Sequence, residues 1–370
     1  MQRGSLPFWQ SVDLMHVTSA KTTPIDIRLS SSVQTGAGSI GDRGGVRVTI
    51  EADGDTGVGE TAAIPGQPGP GLEQLATETS QWCQSAQSAP VSDLIEGLDS
   101  AGLSPISRFA VHTALIDLQS RQADLSTSQW LSPGAATRVS VNGMISEVNP
   151  AAVHERARDL VDQNVSAIKL KVGSQDPGQD ITRIVAASEA AGSSAELRLD
   201  ANGAWTAEIA IRVIGRVGKH RISYIEDPTT DPSEFARIAD ECEVDVAIDL
   251  DAMTDPTEAI EAAGVRTVVV KPAAVGGIDR VLQLVEKYHD HRFIVSSSIQ
   301  RQVGLAAAVH AAALIHTTNP GPHGLATGRL IHQMDQTLLD AHGQVRVPAG
   351  PGIWNEVPST EPADPIPVSR

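Results

Sequence analysis

Acidic residues end several short apolar runs in the second half of this 370-residue sequence. Asp200, Glu226 and Asp249 occupy such positions in three successive runs. Three carboxylates with no histidine or cysteine among them suit Mg²⁺, which prefers oxygen ligands and keeps positions open for a substrate. The pattern therefore predicts a magnesium site formed by these three residues.

Lysines end two other runs of the same kind, although only six of the 28 basic residues are lysines. Lys169 and Lys171 are two positions apart in an extended run, so both side chains point to the same face. Lys271 lies two runs beyond Glu226, which should place it across the site from Lys171. A metal beside opposed amines suits the removal of a proton next to a carboxylate. The metal stabilises the resulting enediolate, and a lysine, unlike an arginine, can accept the proton.

The charge of the chain limits its partners. The formal net charge is −17, which argues against nucleic acid and anionic membranes because both require basic surfaces. Within the predicted site, three lysines and one Mg²⁺ outweigh three carboxylates and leave a charge of about +2. A small anionic carboxylate is therefore the expected substrate, while the sequence carries no signature of oligomeric state.

Compartment is also constrained by composition. The sequence begins without a secretory signal pattern and has no run of about 18 apolar residues, so the chain is expected to be cytoplasmic. Cys83 and Cys242 are too few for a disulfide framework and are expected to be reduced thiols.

The polar residues are carried by short apolar runs that alternate with helical stretches, and their polar ends are 22 to 29 residues apart. A strand, a loop and a helix need a segment of that length, so the pattern predicts successive βα units with a parallel sheet. Seven or eight such units fit a closed (β/α) barrel whose chemistry lies at the carboxyl ends of its strands. We expect the barrel over residues 131–335, with strands at 139–145, 167–172, 197–200, 222–226, 244–249, 267–271 and 293–297.

The first 130 residues differ in pattern and predict a small mixed domain. An alternating run at 46–50, a turn at Asp53-Gly54 and a second run from Gly57 indicate a hairpin. Apolar residues at helical spacing predict a helix over 106–118. Residues 336–370 are expected to form a C-terminal segment that returns to this domain and ends in an irregular tail.

Five sequence motifs, taken in order, resemble the enolase superfamily. They are Ala-Ile-Lys-Leu-Lys-Val at 167–172, Leu-Arg-Leu-Asp-Ala-Asn-Gly-Ala-Trp-Thr at 197–206, Tyr-Ile-Glu-Asp-Pro at 224–228, Val-Lys-Pro-Ala-Ala-Val-Gly-Gly at 270–277 and Val-Ser-Ser-Ser-Ile at 295–299. Gly-Val-Gly-Glu at 57–60 is similar to part of the capping domain of that superfamily. Within the superfamily, the motifs most resemble the o-succinylbenzoate synthases of menaquinone biosynthesis. The resemblance implies an α/β fold, a modified (β/α) TIM barrel with an α+β capping domain over residues 1–130.

The same resemblance assigns roles to the residues singled out above. The implied Mg²⁺ ligands are Asp200, Glu226 and Asp249. Lys171 would abstract a proton from a cyclohexadiene carboxylate and then assist the departure of hydroxide in a syn dehydration. Lys271 would stabilise the enediolate from the opposite face, and Lys169 would support Lys171 through like-charge repulsion. The implied substrate-binding residues are Arg198, Asn202, Ser296, Ser297 and Ser298.

Two positions depart from the superfamily pattern. Leu250-Asp251 replaces a Glu-Ser pair, which makes Asp251 an alternative metal ligand, although Asp249 is preferred. Gln300 stands where an acidic residue is common, which affects the expected substrate pocket. The glycine-rich segment at 36–45 follows the pattern and resembles a mobile loop that closes over substrate.

A second function is consistent with the same residues. An N-acylamino acid racemase or dipeptide epimerase uses the same Mg²⁺ site, but it needs both Lys171 and Lys271 as acid–base groups. Lys271-Pro272 and the serines at 296–298 favour the synthase. Mandelate-racemase-like dehydratases would need a histidine base after a late strand, and none follows the runs at 267–271 and 293–297.

A non-catalytic barrel that serves as a binding protein is the third interpretation. Such a chain is expected to have lost a ligand or a lysine, whereas here all of them are present, so catalysis is favoured. His154 and His310 lie in predicted helices and are expected to pack or face solvent rather than bind metal. His323 lies near the predicted eighth strand and is assigned no role.

Overall fold

Two large sheets of different kinds organise the fold. A computed structural model describes residues 15–30, 32–35, 38–63, 69–218, 222–250, 255–332 and 342–355. Its N-terminal part is an antiparallel sheet covered by helices, and its larger part is a parallel barrel. The fold is therefore a modified (β/α) TIM barrel with an α+β cap.

Five strands belong to the cap. They are β1 (Val17–Ile27), β2 (Val33–Thr35), β3 (Gly38–Ile40), β4 (Arg43–Ala52) and β5 (Asp55–Ala62). The main sheet has the order β1-β4-β5, and β2 pairs with β3 in a small hairpin. The hairpin predicted around Asp53-Gly54 is confirmed, because both residues adopt positive φ in the turn between β4 and β5. The two strands are longer than the alternating run alone indicated.

The cap helices lie against this sheet. They are α1 (Leu72–Ala86), α2 (Val91–Glu96), α3 (Pro105–Gln122) and α4 (Thr127–Leu131). Pro105 begins α3, as expected for a residue that needs no N–H partner in the first turn. Helix α3 approaches β5 so closely that a Cβ at Gly59 would lie 1.8 Å from the carbonyl oxygen of Ala110. The glycines of the Gly-Val-Gly-Glu motif therefore permit backbone contact between strand and helix.

The barrel strands follow the predicted runs closely. They are β7 (Gly143–Ile145), β8 (Ala167–Lys171), β9 (Glu196–Asp200), β10 (Ile222–Glu226), β11 (Asp245–Asp249), β12 (Thr267–Val270) and β13 (Arg292–Val295), preceded by β6 (Arg138–Ser140). Strands β7 to β13 form one sheet in sequence order, and every neighbouring pair is parallel. The outer helices are α5 (Pro150–Asp162), α6 (Pro177–Ala191), α7 (Ala207–Val217), α8 (Phe235–Cys242), α9 (Pro256–Ala263), α10 (Pro272–Val275), α11 (Ile278–Lys287) and α12 (Gln302–Ile315).

Two residues close the barrel in place of a full eighth strand. His323 forms a parallel bridge with Val141, and Gly324 forms one with Ser296. The predicted run at 139–145 is consequently divided. Its first part, β6, pairs antiparallel with β14 (Gln344–Arg346), and only β7 enters the barrel sheet.

The described part of the C-terminal segment contacts the cap. Gly352 bridges Ser126, and the Ile353 N–H donates to Asp117 Oδ1 of α3 at 2.6 Å. Residues 356–370 lie outside the described part of the chain. The domain boundaries at 130 and 335 stay predictions.

The strands of the parallel sheet are buried on both faces, which explains their nearly continuous apolar sequences. Cys83 and Cys242 are buried free thiols. Within the described residues, none of the helices combines the length and apolar character that crossing a membrane requires.

Candidate active site

The polar ends of the strands meet at one rim of the barrel. In the sheet register, Lys171 is paired with Asp200, and Asp200 is paired with Glu226. Asp249 ends the next strand, and Lys271 follows the one after it. The carboxyl ends of five successive strands therefore present three carboxylates, flanked by one amine on each side, to a common space, as the spacing of the apolar runs predicted.

Lys169 and Lys171 both point toward the carboxylates, as their separation by two residues predicts. The Lys169 Nζ lies 2.7 Å from Asp200 Oδ2 and 2.6 Å from Glu226 Oε1. The Lys171 Nζ lies 2.7 Å from Asp200 Oδ2 and 3.0 Å from Asn202 Oδ1. Burial opposes a charge on Lys169, but the attraction of Asp200 and Glu226 outweighs it and raises the pKa of the amine well above its ordinary value. Lys169 therefore stays protonated and places a fixed positive charge beside Lys171.

Lys271 occupies the far end of the same row of groups. It directly follows β12, and its Nζ donates a hydrogen bond to Asp249 Oδ2. Only 10% of the Lys271 side chain is exposed. The two lysines with predicted acid–base roles are thus held by different carboxylates, since Lys171 pairs with Asp200.

Glu226 is the carboxylate whose environment most requires a further cation. It is 1% exposed, and its Oε2 has no hydrogen-bond partner among the described residues. Burial and the nearby charge of Asp200 raise the pKa of Glu226 to about 7, although Lys169 opposes this shift. A divalent cation would supply the missing partner for Oε2 and favour the ionised form.

The predicted donor set therefore fits Mg²⁺ in chemistry. Asp200, Glu226 and Asp249 offer only oxygen, all three are at least nine-tenths buried, and they lie on adjacent strands. In the described parts of the chain, no three acidic, histidine or cysteine side chains are already arranged around one point as ligands. Each of these carboxylates instead faces a lysine amine. The ligand assignment stays a prediction, and Asp251 lies outside the described residues.

Asp227 also belongs to this cluster, although the sequence analysis assigned it no role. Its Oδ1 accepts a hydrogen bond from the Asp249 N–H at 3.0 Å, and its backbone has a φ of 40°. Burial and repulsion by Asp249 and Glu226 raise the pKa of Asp227 well above its ordinary value. The Glu-Asp-Pro motif was the available signal, but it did not indicate that Asp227 holds the end of the neighbouring strand.

Asp180 and Arg183 were also missed, and both hold the loop that follows Lys171. Arg183 Nη2 donates to the Lys171 carbonyl at 2.6 Å, and Arg183 Nη1 donates to Asp180 Oδ1 at 3.1 Å. Asp180 Oδ2 accepts from the N–H groups of Gly173 and Ser174 and from Trp205 Nε1. Both side chains are buried on α6, and they fix the backbone of Lys171 through the hydrogen bond to its carbonyl. Their spacing of three residues on a predicted helix was the only signal in the sequence.

Arg198 does not contribute to the rim in the way that was expected. It lies two residues before Asp200, is fully buried, and donates to Glu196 Oε1 and to the Pro322 carbonyl. Its guanidinium also lies 5.1 Å from the centre of the Tyr224 ring. Because these contacts occupy the side chain within the barrel core, the placement supports packing beneath the site and not contact with substrate.

Asn202 and the three serines lie at the rim. The Asn202 N–H donates to Asp200 Oδ1 at 3.0 Å, which ties it to the predicted metal ligand. The Ser296 N–H donates to the carbonyl of Val270, so Ser296 is next to Lys271 in space. Each of the serines Ser296, Ser297 and Ser298 is 7–8% exposed. Their contact with a substrate stays a prediction.

His323 and His310 are not placed as ligands or bases. His323 Nδ1 accepts from the Val295 N–H at 3.1 Å, and burial together with Arg198 lowers the pKa of His323 to about 3. His310 is fully buried in α12 and bonded to Ser128. Both rings are therefore neutral parts of the core.

Comparison with known proteins agrees with this geometry. Residues 152–358 match the family described as Enolase C-terminal domain-like. The chain is 33% identical to an o-succinylbenzoate synthase of Thermobifida fusca over 224 residues, which are 59% of this chain and 69% of that protein. It is 35% identical to a hydrophobic dipeptide epimerase of Roseobacter litoralis over 49% of this chain, and it spans 53% of the length of that relative.

Solved structures show the same fold. A dipeptide epimerase from Enterococcus faecalis, crystallised with Mg and the dipeptide L-Leu-L-Tyr, superposes with a TM-score of 0.82 at 20% identity. The superposition covers 91% of this chain and 99% of that one. The family match covers more than half of this chain, and the barrel with its row of amines and carboxylates agrees with that match. This chain therefore belongs to the enolase superfamily.

Proposed function

We propose that the protein is a magnesium-dependent o-succinylbenzoate synthase. It would convert 2-succinyl-6-hydroxy-2,4-cyclohexadiene-1-carboxylate to 2-succinylbenzoate by syn dehydration, as a cytoplasmic enzyme of menaquinone biosynthesis. The observation that carries the proposal is the Lys171 amine, held by Asp200 and Asn202 at a rim that also presents Lys271 on a separate carboxylate. The synthase from Thermobifida fusca supports the choice of reaction.

Each side chain of the rim has a distinct task in this proposal. Asp200, Glu226 and Asp249 would hold Mg²⁺, which when bound supplies positive charge to the substrate carboxylate and so favours loss of the neighbouring proton. Lys171 takes that proton from the carbon next to the carboxylate. The same amine then returns the proton to the departing hydroxide, so that water leaves from the same face.

The other two lysines act through charge. Lys271 stabilises the enediolate from the opposite side, and its hydrogen bond to Asp249 fixes the amine in place. Lys169 stays protonated between Asp200 and Glu226 and offsets their negative charge. A small anionic carboxylate fits this site because the amines and the metal together outweigh the carboxylates.

A dipeptide epimerase or N-acylamino acid racemase is the second candidate. It is favoured by the presence of two hydrogen-bonded lysine amines on different carboxylates, because racemisation needs one acid–base group on each face. A hydrophobic dipeptide epimerase is among the relatives, at 35% identity. The dehydration needs proton transfer by Lys171 alone, so the two reactions differ in their demand on Lys271.

One pair of assays tests both candidates. Purified protein with Mg²⁺ is mixed with the cyclohexadiene substrate, and loss of diene absorbance is followed. In a second reaction, an N-succinylamino acid and a dipeptide are incubated in deuterated water, and deuterium at the α-carbon is measured by mass spectrometry. We expect rapid loss of absorbance in the first assay. Exchange in the second assay without dehydration in the first would replace the synthase by the racemase or epimerase.

Lysine variants identify the groups that transfer the proton. Lys171→Ala should abolish either reaction, whereas Lys287→Ala serves as the matched control because that lysine is 51% exposed and lies outside the site. Normal turnover by Lys171→Ala would exclude both candidates.

A further inference from the structure

A partly buried arginine of the cap reaches the barrel rim beside the serines. Arg43 is the first residue of β4, and its Nη2 donates to the carbonyl oxygens of Ser298 at 2.5 Å and Ile299 at 2.6 Å. These carbonyls follow β13, whose end lies next to Lys271. The residues Gly41 and Asp42 just before Arg43 are exposed, so the arginine sits at the edge of the mouth and not deep in the core.

Arg43 carries a positive charge that no carboxylate balances in the described residues. Its Nε and Nη1 are buried and lack hydrogen-bond partners there, and among the described residues its side chain donates hydrogen bonds to the two carbonyls alone. Burial lowers the pKa of its guanidinium to about 10, and no acidic group opposes that shift. A buried cation is ordinarily paired with an anion, because loss of hydration otherwise goes uncompensated.

Arg47 provides the internal comparison. It lies four residues further along β4, on the same face of the strand, and is more deeply buried than Arg43. Unlike Arg43, it has a carboxylate partner, since its Nη2 lies 2.6 Å from Glu60 Oε1. The absence of an anion is therefore particular to the arginine that touches the rim.

The rim segment in contact with Arg43 has further unpaired polar atoms. Ser298 Oγ and both amide atoms of Gln300 are buried without hydrogen-bond partners among the described residues. Between them, Ile299 has a φ of 55°, a left-handed conformation that β-branched residues rarely adopt. Strained backbone and unpaired polar groups concentrate at binding sites, where a ligand completes the contacts.

We propose that Arg43 and Ser298 bind a second carboxylate of the substrate, distant from the carboxylate beside the lysines. This inference rests on the proposed function and deepens it, since it makes a residue of the cap responsible for selecting dicarboxylates. The guanidinium supplies charge and N–H groups, and the Ser298 hydroxyl supplies a further donor. The hydrogen bonds from Arg43 to the Ser298 and Ile299 carbonyls hold the arginine at the rim. This side chain therefore joins the cap to the substrate pocket.

Binding of the reaction product and its amide tests the proposal without turnover. Isothermal titration with Mg²⁺ compares 2-succinylbenzoate with the compound in which the succinyl carboxylate is a primary amide. We expect the wild-type protein to bind the diacid about 10- to 100-fold more tightly, as a charge-assisted hydrogen bond would give. Equal affinity for the two compounds would overturn the proposal even before any variant is made.

Variants separate recognition from support of the fold. Arg43→Gln should remove the preference for the diacid, and Arg43→Lys should restore part of it because the charge remains. Arg28→Gln is the control, since Arg28 is a largely exposed arginine of the cap, and it should keep the wild-type preference. If Arg43→Gln weakened binding of the diacid and of the amide equally, Arg43 would only hold the cap against the barrel, and the subsite would be refuted.

Ser298→Ala provides a smaller perturbation in case Arg43→Gln does not fold. It should reduce the preference for the diacid by about 2- to 10-fold, and an unchanged preference would remove Ser298 from the subsite. The outcomes also separate this inference from the proposed reaction. Preference for the diacid without dehydration refutes the synthase alone, whereas dehydration without preference refutes the subsite alone.

Discussion

His310 makes the stability of the fold depend on pH in a way that can be measured. The ring is fully buried in α12, where Nδ1 accepts from the Ser128 N–H at 3.2 Å and Nε2 donates to the Ile353 carbonyl at 3.0 Å. These bonds require the neutral ring and connect α12 with α4 and the C-terminal segment. Burial lowers the pKa of His310 to about 4. Acidification should therefore destabilise the protein.

The size of the effect follows from the two pKa values. An unfolded histidine titrates near its ordinary value of 6.5, so between that value and about 4 the unfolded chain binds a proton that the folded chain excludes. Stability is complete above the unfolded pKa and is lost as the pH falls toward the folded one. Proton linkage gives a loss of about 2 kcal/mol between pH 7 and pH 5, and of about 3 kcal/mol once the pH is well below 4.

A histidine variant isolates this contribution from that of His323, whose lowered pKa of about 3 acts in the same direction. Urea unfolding followed by circular dichroism is compared at pH 7 and pH 5 for wild type, His310→Gln and the exposed control His289→Gln. The wild type and the control should lose about 2 kcal/mol more than His310→Gln on acidification. An equal loss in all three proteins would show that His310 is not held neutral by the fold.

Three other outcomes are expected. Lys171→Ala should lower kcat of the dehydration by about 10²- to 10⁴-fold with an unchanged circular dichroism spectrum, and a smaller loss would contradict its role as base. Glu226→Gln should weaken Mg²⁺ binding by at least about tenfold in isothermal titration, because it removes a charged oxygen, and unchanged affinity would exclude Glu226 as a ligand. Gly59→Ala should cost about 3 kcal/mol in urea unfolding, because its Cβ would overlap the Ala110 carbonyl at 1.8 Å. Gly71→Ala, where a Cβ meets no atom within 4 Å, is the control, and equal stability of the two variants would refute the close contact.

The sequence predicted the barrel strands well because each is a local apolar run. The run at 222–226 coincides with β10, and the runs at 167–172 and 244–249 differ from β8 and β11 by one residue. The run at 139–145 was less accurate. Its division into β6 and β7 depends on pairing with β14 and on the bridge from Val141 to His323, which are contacts with residues far along the chain.

Some residues around the rim had almost no signal in the sequence. Asp180 and Arg183 look like an ordinary helical pair, and only folding brings them against the Lys171 carbonyl and Trp205. Arg43 lies 255 residues from Ser298 in sequence, so no local pattern indicates their contact. Such contacts arise from the packing of the cap on the barrel, and neither periodicity nor composition encodes that packing in a form that can be read directly.

By itself, the sequence determined which residues stand at the ends of the barrel strands and that Lys169 and Lys171 share a face. Both follow from the period of two residues in a strand and from the regular length of a βα unit. Tertiary structure alone decided that Lys171 pairs with Asp200, that Lys271 pairs with Asp249, and that Arg198 packs beneath the rim. The physical reason is that the paired residues are far apart in the sequence, so their contacts depend on how the strands and the cap pack in space.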